Sequence, residues 1–439
     1  MANPLPGLLP VQKKEEGGSY RLMHYVVRQP VEEGLLLYHL MTKSLVLLDR
    51  DEAGLLDEDP AKVEGLVENW FAVPESHDDR KLAQEVRAVG KMLHKPAGGI
   101  RNFTILTTTD CNARCFYCYE KGRSRFPMSD AVAEAAADYI IVNRGGESVK
   151  LRWFGGEPLY NKGAISLICS RLKEAGVVFR SSMVSNGLLF DGKTVSQSVE
   201  EWNLKKVQIT LDGTEDTYNH IKNFAHSEGS PFLTVMGNIH RLLGAGVRVD
   251  IRLNIDRHNA EDIFALTEVL ASEFGNNPLL GAYSHSLFES CDPRAAVLHS
   301  DLQRRELFEK QLKLQDKLML SGLYRPGRLR HTLNLNHCMA DSDSSVVILP
   351  DGHLGKCEHY SESEWFGHIL DNVRDTDQIS SFKAGRTEIE ACSECPLYPD
   401  CIRLEKCEEA EHCHPEEREL KLYDIRNQMS EYYSHGAKD

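Results

Sequence analysis

No run of about 18 apolar residues occurs in this 439-residue chain, so the sequence offers no membrane-spanning helix. The first residues, MANPLPGLLPVQKKEE, are apolar for only a few positions and carry their basic pair after them, the wrong order for a secretory signal. A cytoplasmic location is the expectation. No Lys/Arg-rich tract stands out either, and the formal net charge of −15 repels a phosphate backbone, which argues against nucleic acid as a partner. The acid excess is explained more simply as a solubility device. Internal repeats and low-complexity tracts are absent, and no convincing serine nucleophile or acid-base dyad appears. What remains, 41% hydrophobic and 27% charged residues, is the composition of a globular protein long enough for two or three domains.

Cysteine is the residue the chain does not lack. In a reducing compartment its twelve cysteines are expected to bind metal rather than to pair as disulfides. Three of them share one short loop, Cys111-Asn112-Ala113-Arg114-Cys115-Phe116-Tyr117-Cys118, with the spacing C-x3-C-x2-C. A tetrahedral zinc or a cubane iron-sulfur cluster normally takes four protein ligands, so three thiolates on so tight a turn leave one metal corner open to a substrate. The preceding residues 103–108, FTILTT, have the pattern of a buried strand, and Phe116 and Tyr117 place aromatic surface beside the metal. A zinc site completed by a distant fourth ligand is the rival reading.

From residue 103 to about 322 strand and helix patterns alternate. Strands are expected at 103–108, 149–154, 177–184, 206–211, 247–255 and 281–288, with helices such as 129–143, where Ser129 occupies the N-cap position, and 259–274. Six such units imply a parallel sheet covered by helices. In residues 247–255, VRVDIRLNI, apolar and polar positions alternate, as they do in Val207, Gln208, Ile209, Thr210 and Leu211. A parallel sheet packed on both faces shows continuous apolar runs instead, so one face is expected to look into a wet space. The pattern leaves barrel and open sheet undecided. Polar or glycine-rich motifs recur at successive strand ends: the cysteine loop, Gly155-Gly156-Glu157-Pro158, Ser185-Asn186-Gly187, Asp212-Gly213 and Asn254. In α/β barrels that rim carries the reactive groups.

With its C-x3-C-x-aromatic-C loop and its Gly155-Gly156-Glu157-Pro158 motif, the chain resembles the radical S-adenosylmethionine (SAM) enzymes. The resemblance implies an α/β fold built on a partial (βα)6 barrel. It makes Cys111, Cys115 and Cys118 ligands of a [4Fe-4S] cluster whose open iron is chelated by SAM, and Tyr117 a neighbour of that cofactor. In the family the GGEP motif holds the methionyl amino group: Gly155 and Gly156 would let backbone approach a ligand, and Glu157 would supply an acceptor near the ammonium. Ser185, Asn186, Asp212, Arg252 and Asn254 are candidates for contacts to ribose, carboxylate or substrate, although turns favour such residues in any case. Reductive cleavage of SAM would give a 5'-deoxyadenosyl radical that takes hydrogen from an unactivated carbon, the hard chemistry belonging to the cofactor.

Beyond the barrel, Cys338 and Cys357 flank Gly352 as C-x13-G-x4-C, and Cys392, Cys395, Cys401 and Cys407 follow as C-x2-C-x5-C-x5-C, with Cys413 last. This is similar to the SPASM extension of radical SAM peptide-modifying enzymes, whose cysteines hold two auxiliary [4Fe-4S] clusters. Carried over, Cys338, Cys357 and Cys407 would hold the first and Cys392, Cys395, Cys401 and Cys413 the second. The five-residue interval before Cys407 departs from the family's usual three, and a zinc ribbon is the alternative. Three thiolates would leave the first auxiliary cluster an open iron that a substrate thiolate can ligate. Of the rest, Cys169 is assigned to a helix core and Cys291, in a loop after the sixth strand, is a weak candidate for a catalytic role.

Residues 19–49 suggest two or three strands with a turn near 29–34, followed by helices at 60–71 and 78–95. That order is similar to small peptide-recognition domains that take a leader peptide as an added strand. Further helices are expected at 301–320 and 416–433. The division expected is therefore 1–99, a small α+β domain; 100–325, the barrel; and 326–439, a loop-rich, cysteine-rich domain. The combination resembles maturases of ribosomally made peptides, which implies a precursor peptide, cysteine-rich if the bond formed is a thioether, and a flavodoxin or ferredoxin as electron donor. Carbon-carbon crosslinking, anaerobic sulfatase maturation and a non-catalytic iron-sulfur or zinc scaffold are the alternatives.

Overall fold

The computed structural model describes residues 9–15, 17–93, 98–118, 120–121, 124–225, 228–287, 301–335, 338–359, 362–371, 374–383, 388–401 and 413–436. Its contacts gather the chain into two compact units, Met1–Lys95 with Pro326–Cys338 and Gly385–Asp439, and Pro96–Arg325 with Met339–Ala384. The cysteine-rich end is thus divided between them, where the sequence pattern suggested a separate third segment.

In the first unit β1 (Tyr20–Leu22) pairs antiparallel with β5 (Ala72–Pro74), and β2 (Val26–Val31), β3 (Gly34–His39) and β4 (Leu45–Asp49) form an antiparallel meander. Helix α1 (Arg50–Glu58) begins at a capping box: the Asp49 carboxylate accepts from the amides of Asp51 and Glu52, and the Glu52 carboxylate accepts from the Asp49 amide. Nothing in the sequence pattern had singled this helix out. The helix expected at 60–71 is instead one 3-10 turn, Pro60–Lys62, followed by turns. Gly65 at φ +79° and Trp70 at φ +67° take left-handed backbone, which no right-handed helix can contain. Helix α2 (Asp79–Leu93) and the C-terminal helix Pro415–Gly436 form as expected, and Leu36, Tyr38, Val73, Tyr398 and Met429 share one core.

The second unit is built on β6 (Asn102–Thr108), β7 (Ser148–Gly155), β8 (Val178–Ser185), β9 (Leu204–Leu211), β10 (Arg248–Ile255) and β11 (Leu280–Ser286). Six of its helices separate successive strands: α3 (Asp130–Asn143), α4 (Lys162–Glu174), α5 (Gly192–Glu200), α6 (Glu215–Lys222), α7 (Pro231–Gly244) and α8 (Ala260–Phe274). Helix α9 (Asp301–Leu320) follows, as expected. All six strands are parallel and neighbour one another in chain order, β11-β10-β9-β8-β7-β6. A doubly wound sheet reverses its order at a switch point, whereas this one winds in a single sense, as a barrel does. The barrel stays open, because among the described strands β6 pairs on its far side with β12 (Ser345–Ile348) and not with β11. Strands β13 (His353–Gly355) and β14 (Gly367–His368) extend that edge antiparallel, and α10 (Thr376–Ser381) follows them.

The alternation seen in the sequence separates two faces of the sheet. Val207, Ile209, Leu211, Val249, Ile251 and Leu253 are buried in the main core, while Gln208, Thr210, Asp250 and Arg252 between them are half-buried. Gln208 pairs with Asp250 and Thr210 with Arg252 across the ladder, so the polar positions lie on one face. Ile251→Ala should therefore cost about 3 kcal/mol through its cavity, and Arg252→Ala less than about 1 kcal/mol, measured from urea unfolding curves. Equal losses would contradict the two-faced strand.

Candidate active site

The three-cysteine loop leaves β6 at its C-terminal end and is shaped first by its own backbone. The Asp110 amide donates to Thr108 Oγ1 at 2.9 Å, the Cys111 amide to Asp110 Oδ1 at 2.8 Å and the Cys118 amide to the Cys115 carbonyl at 3.3 Å. The end of α6 pins it from outside: the Arg114 amide donates to the Lys222 carbonyl and the Ala225 amide to the Asn112 carbonyl, both at 2.8 Å. All three thiols are half-buried. Burial, with Glu157 nearby, pushes the Cys111 thiol up to about 12, and burial also raises Cys115 and Cys118. Thiols so reluctant to ionise are poor nucleophiles, and a bound cation is what displaces such protons. Three soft donors on one turn suit iron-sulfur ligation. Among the described residues no three His, Cys, Asp or Glu side chains stand close enough to chelate a single metal ion, and a four-iron cubane asks for more widely spread thiolates.

The second strand end converges on the first. Gly155 has φ +115°, and a Cβ there would lie 2.1 Å from the Thr108 carbonyl oxygen; one on Gly156 would lie 2.3 Å from that of Asp110. The glycines are thus required by the protein's own crowded backbone, before any ligand is considered. Glu157 is fully buried. It accepts from Ser185 Oγ at 2.9 and 3.0 Å, from the Asn186 amide at 2.8 Å and from the Leu159 amide at 3.2 Å. Burial raises its pKa to about 7 against the pull of those donors. Pro158 opens the 3-10 turn Pro158–Asn161, and its carbonyl accepts from Thr107 Oγ1 at 3.1 Å. Asn186, held in this way, donates from its side-chain Nδ2 to Asn112 Oδ1 at 2.6 Å, and Nδ2 lies 3.8 Å from Cys111 Sγ. Glu157 thereby also braces the cysteine loop through Asn186.

A second chain of contacts enters from β9 and β10. Asp212 is fully buried and pairs at 2.9 Å with the Lys222 ammonium, whose side chain is 4% exposed. Tyr117 donates to Asp212 at 2.9 Å and accepts from Lys222 Nζ at 2.9 Å; Asn254 Nδ2 donates to Asp212 Oδ1 at 3.0 Å, and Arg252 Nε to Asn254 Oδ1 at 3.0 Å. Burial by itself lowers the Lys222 pKa, but Asp212 and Cys115 outweigh it and the net shift is upward. Burial and Asp212 hold Tyr117 well above its ordinary value, so it remains a neutral donor. Asn259 completes the lattice, giving its amide to the Asp212 and Asn254 carbonyls at 2.9 and 2.8 Å.

The structure brings Cys111, Cys115, Tyr117, Cys118, Gly155, Gly156, Glu157, Pro158, Ser185, Asn186, Asp212, Arg252 and Asn254 into this unit, all but Arg252 at or just beyond strand ends. Lys222, Asn112 and Asn259 were missed. A lysine at a helix end ordinarily marks a solvated terminus, and only the glycine-free run from Thr214 to Lys222, ending ten residues after Asp212, hinted that it could turn back. Cys169 is buried in the core on α4, as assigned. Cys338, Cys392, Cys395, Cys401 and Cys413 belong to the first unit and Cys357 to the second; Cys291 and Cys407 lie outside the described residues.

Residues 105–270 match the model of the radical SAM superfamily. Among curated relatives, GTP 3',8-cyclase of Clostridium perfringens (strain 13 / Type A) is 25% identical over 270 residues, covering 58% of this chain and 80% of that protein. Fe-coproporphyrin III synthase of Methanosarcina barkeri is 28% identical over 210 residues, covering 48% of this chain and 49% of that one. Of solved structures, native anSMEcpe with bound AdoMet aligns at TM-score 0.57 and 14% identity, covering 75% of this chain and 97% of its own. Streptococcus suis SuiB bound to precursor peptide SuiA aligns at TM-score 0.52 and 13% identity over 87% of this chain and 94% of its own. The chain contains a radical SAM domain. Such domains belong to a superfamily that binds SAM and a [4Fe-4S] cluster, and this one marks the chain as an enzyme.

Lys222→Met leaves Asp212 buried without its cation and should destabilise the metal-free chain by about 3–5 kcal/mol; adding Asp212→Asn should recover most of that, and urea unfolding measures both. Glu157 gives a pH signature. Its folded pKa of about 7 lies above the ordinary 4.5, so the folded state binds more protons between those values and its stability falls as pH rises through that window. Glu157→Gln should flatten this part of the stability curve of the metal-free chain, followed by thermal unfolding from pH 4.5 to 8.

Proposed function

We propose that the chain is a cytoplasmic radical SAM maturase of a ribosomally made, cysteine-rich precursor peptide, joining a cysteine sulfur to a carbon of a second residue as a thioether. The observation that carries this reading is the three-thiol loop at the rim of an open barrel with a polar inner face. When bound, the [4Fe-4S] cluster and SAM supply a one-electron reductive cleavage of the sulfonium and a 5'-deoxyadenosyl radical that abstracts hydrogen. Cys111, Cys115 and Cys118 hold that cluster, and Tyr117, Asp212, Lys222 and Asn186 fix the loop that presents them. Arg252 and Asn254 line the approach from β10 with polar contacts. The lumen, half-buried and lined by Gln208, Thr210 and Asp250, holds the peptide away from bulk water.

Support for a peptide substrate comes from the first unit. Its meander leaves β4 with one paired side among the described strands, an edge on which a leader peptide can add as a fourth strand. The alignment with SuiB, a protein solved with its precursor peptide, extends over 87% of the chain and so beyond the barrel. Cys392, Cys395, Cys401 and Cys413 hold a second auxiliary [4Fe-4S] cluster. By the same resemblance Cys338, Cys357 and Cys407 would be ligands of the first, leaving room for a substrate thiolate as a further ligand, and a flavodoxin or ferredoxin would be the electron donor.

The anaerobically reconstituted chain should carry roughly 12 iron atoms for three clusters, against roughly 4 for one. Under strong reductant it should convert SAM to 5'-deoxyadenosine. Cys115→Ala should abolish that cleavage, while Cys395→Ala should spare part of it and halt peptide modification. SAM left intact by the iron-loaded parent would end this reading.

A further inference from the structure

Lys43 lies in the turn joining β3 to β4, far in sequence from any cysteine, yet its side chain is wholly buried. Its backbone is left-handed, φ +61°, a conformation uncommon for a residue with a side chain, and it is fixed by a hydrogen bond from its amide N–H to the His39 carbonyl at 2.7 Å. The ammonium pairs with Asp400 Oδ2. Asp400 precedes Cys401 directly, and its other oxygen accepts from the Asn334 amide at 3.0 Å. A cavity of about 280 Å³ opens here, lined among others by Tyr38, Lys43, Cys395, Asp400, Cys401 and Cys413.

The same loop is gripped a second time. Arg87 of α2 donates to the Pro399 carbonyl and to those of Asn334 and Leu335, the latter two at 2.7 and 3.2 Å, and the Tyr398 ring stacks on Tyr25 with centroids 6.4 Å apart. Two cations of the N-terminal segment therefore hold residues 398–401 in place, and one of them, Lys43, lines the same cavity as Cys395, Cys401 and Cys413, together with Arg330, Arg418 and Lys421.

We propose that Lys43 is a positioning and tuning residue for the second auxiliary cluster: the N-terminal sheet supplies one of the cations that line its cavity, and the Lys43–Asp400 pair contributes to its reduction potential. This rests on the assignment of Cys392, Cys395, Cys401 and Cys413 as that cluster's ligands. The physics is a charge balance. A nearby cation stabilises the reduced, more negative cluster and a nearby carboxylate the oxidised one, and low exposure keeps water from screening either. The intact pair is neutral in sum, so removing either member exposes the other.

Reduction potentials of the reconstituted full-length chain test this by redox titration followed by electron paramagnetic resonance. The signal lost in Cys395→Ala identifies the second auxiliary cluster. Lys43→Met should lower its potential, changing the oxidised-to-reduced ratio at fixed poise about tenfold, which is about 59 mV for a one-electron couple. Asp400→Asn should raise it by a similar amount, and Lys43→Arg should keep the parent value and iron content. Opposite signs separate an electrostatic role from a merely structural one, and Asp400→Asn keeps the test alive should Lys43→Met lose its iron. Shifts of the same sign, or none, would overturn the role of Lys43 while leaving the cluster in place. A parent chain in which no signal depends on Cys395 would overturn the ligand assignment and this inference together.

Discussion

The buried pair of Asp212 and Lys222 is the constraint on which the rim of the barrel depends. Desolvating two charges is expensive, and their mutual attraction offsets this only when other hydrogen bonds occupy the remaining lone pairs and protons. Here they do. Asp212 also accepts from Tyr117 and Asn254, and Lys222 also donates to Tyr117, so one carboxylate ties together the end of β9, the end of β10, the end of α6 and the cysteine loop. Each partner comes from a different element. The loop cannot drift without stranding a charge in a place where water does not reach.

Single-sense winding makes such a lattice possible. Because β6 to β10 neighbour one another in chain order and run parallel, their C-terminal ends are adjacent, and residues at or beyond those ends can reach one another. Glu157 spans from β7 to Ser185 and Asn186 after β8; Asn186 returns to Asn112 after β6; Asp212 after β9 reaches Tyr117 in the β6 loop. The strand ends approach so closely that Gly155 and Gly156 have no room for a methyl group. Backbone crowding and side-chain bonding position the loop that carries the three thiols.

Much of this was legible in the sequence for physical reasons that can be named. Alternation in residues 247–255 marked a strand with one wet face, and Val249, Ile251 and Leu253 are indeed the buried set. The six strand positions followed from apolar runs of strand length bounded by turns. The choice between open barrel and doubly wound sheet did not, because winding order is a property of long-range pairing. Residues 345–348, SVVI, carry an apolar, largely β-branched strand signal that the surrounding cysteine pattern masked, and they join the barrel sheet beside β6. Lys222 and Lys43 were invisible for a common reason: lysine is almost never buried unless paired, and each partner, Asp212 or Asp400, lies at a distance no local pattern encodes.

Register places the barrel's cysteine sites relative to each other. Strand β12 runs parallel to β6 with Ile348 beside Ile105, and β13 returns antiparallel with Gly355 beside Val347. The chain then heads toward the N-terminal end of β6, where Lys356 donates to the carbonyls of Ser342 and Ser345 at 2.7 and 3.2 Å. Cys357 follows at that end, and Glu358 faces Arg152 of β7 at 3.6 Å, with Arg152 level with Thr104 in the ladder. The three-thiol loop leaves from the opposite end of β6, seven residues long. At about 3.3 Å per residue the two ends are about 20 Å apart. Under the proposed function, a substrate in the lumen would therefore lie between the three-thiol loop and Cys357, at opposite ends of β6.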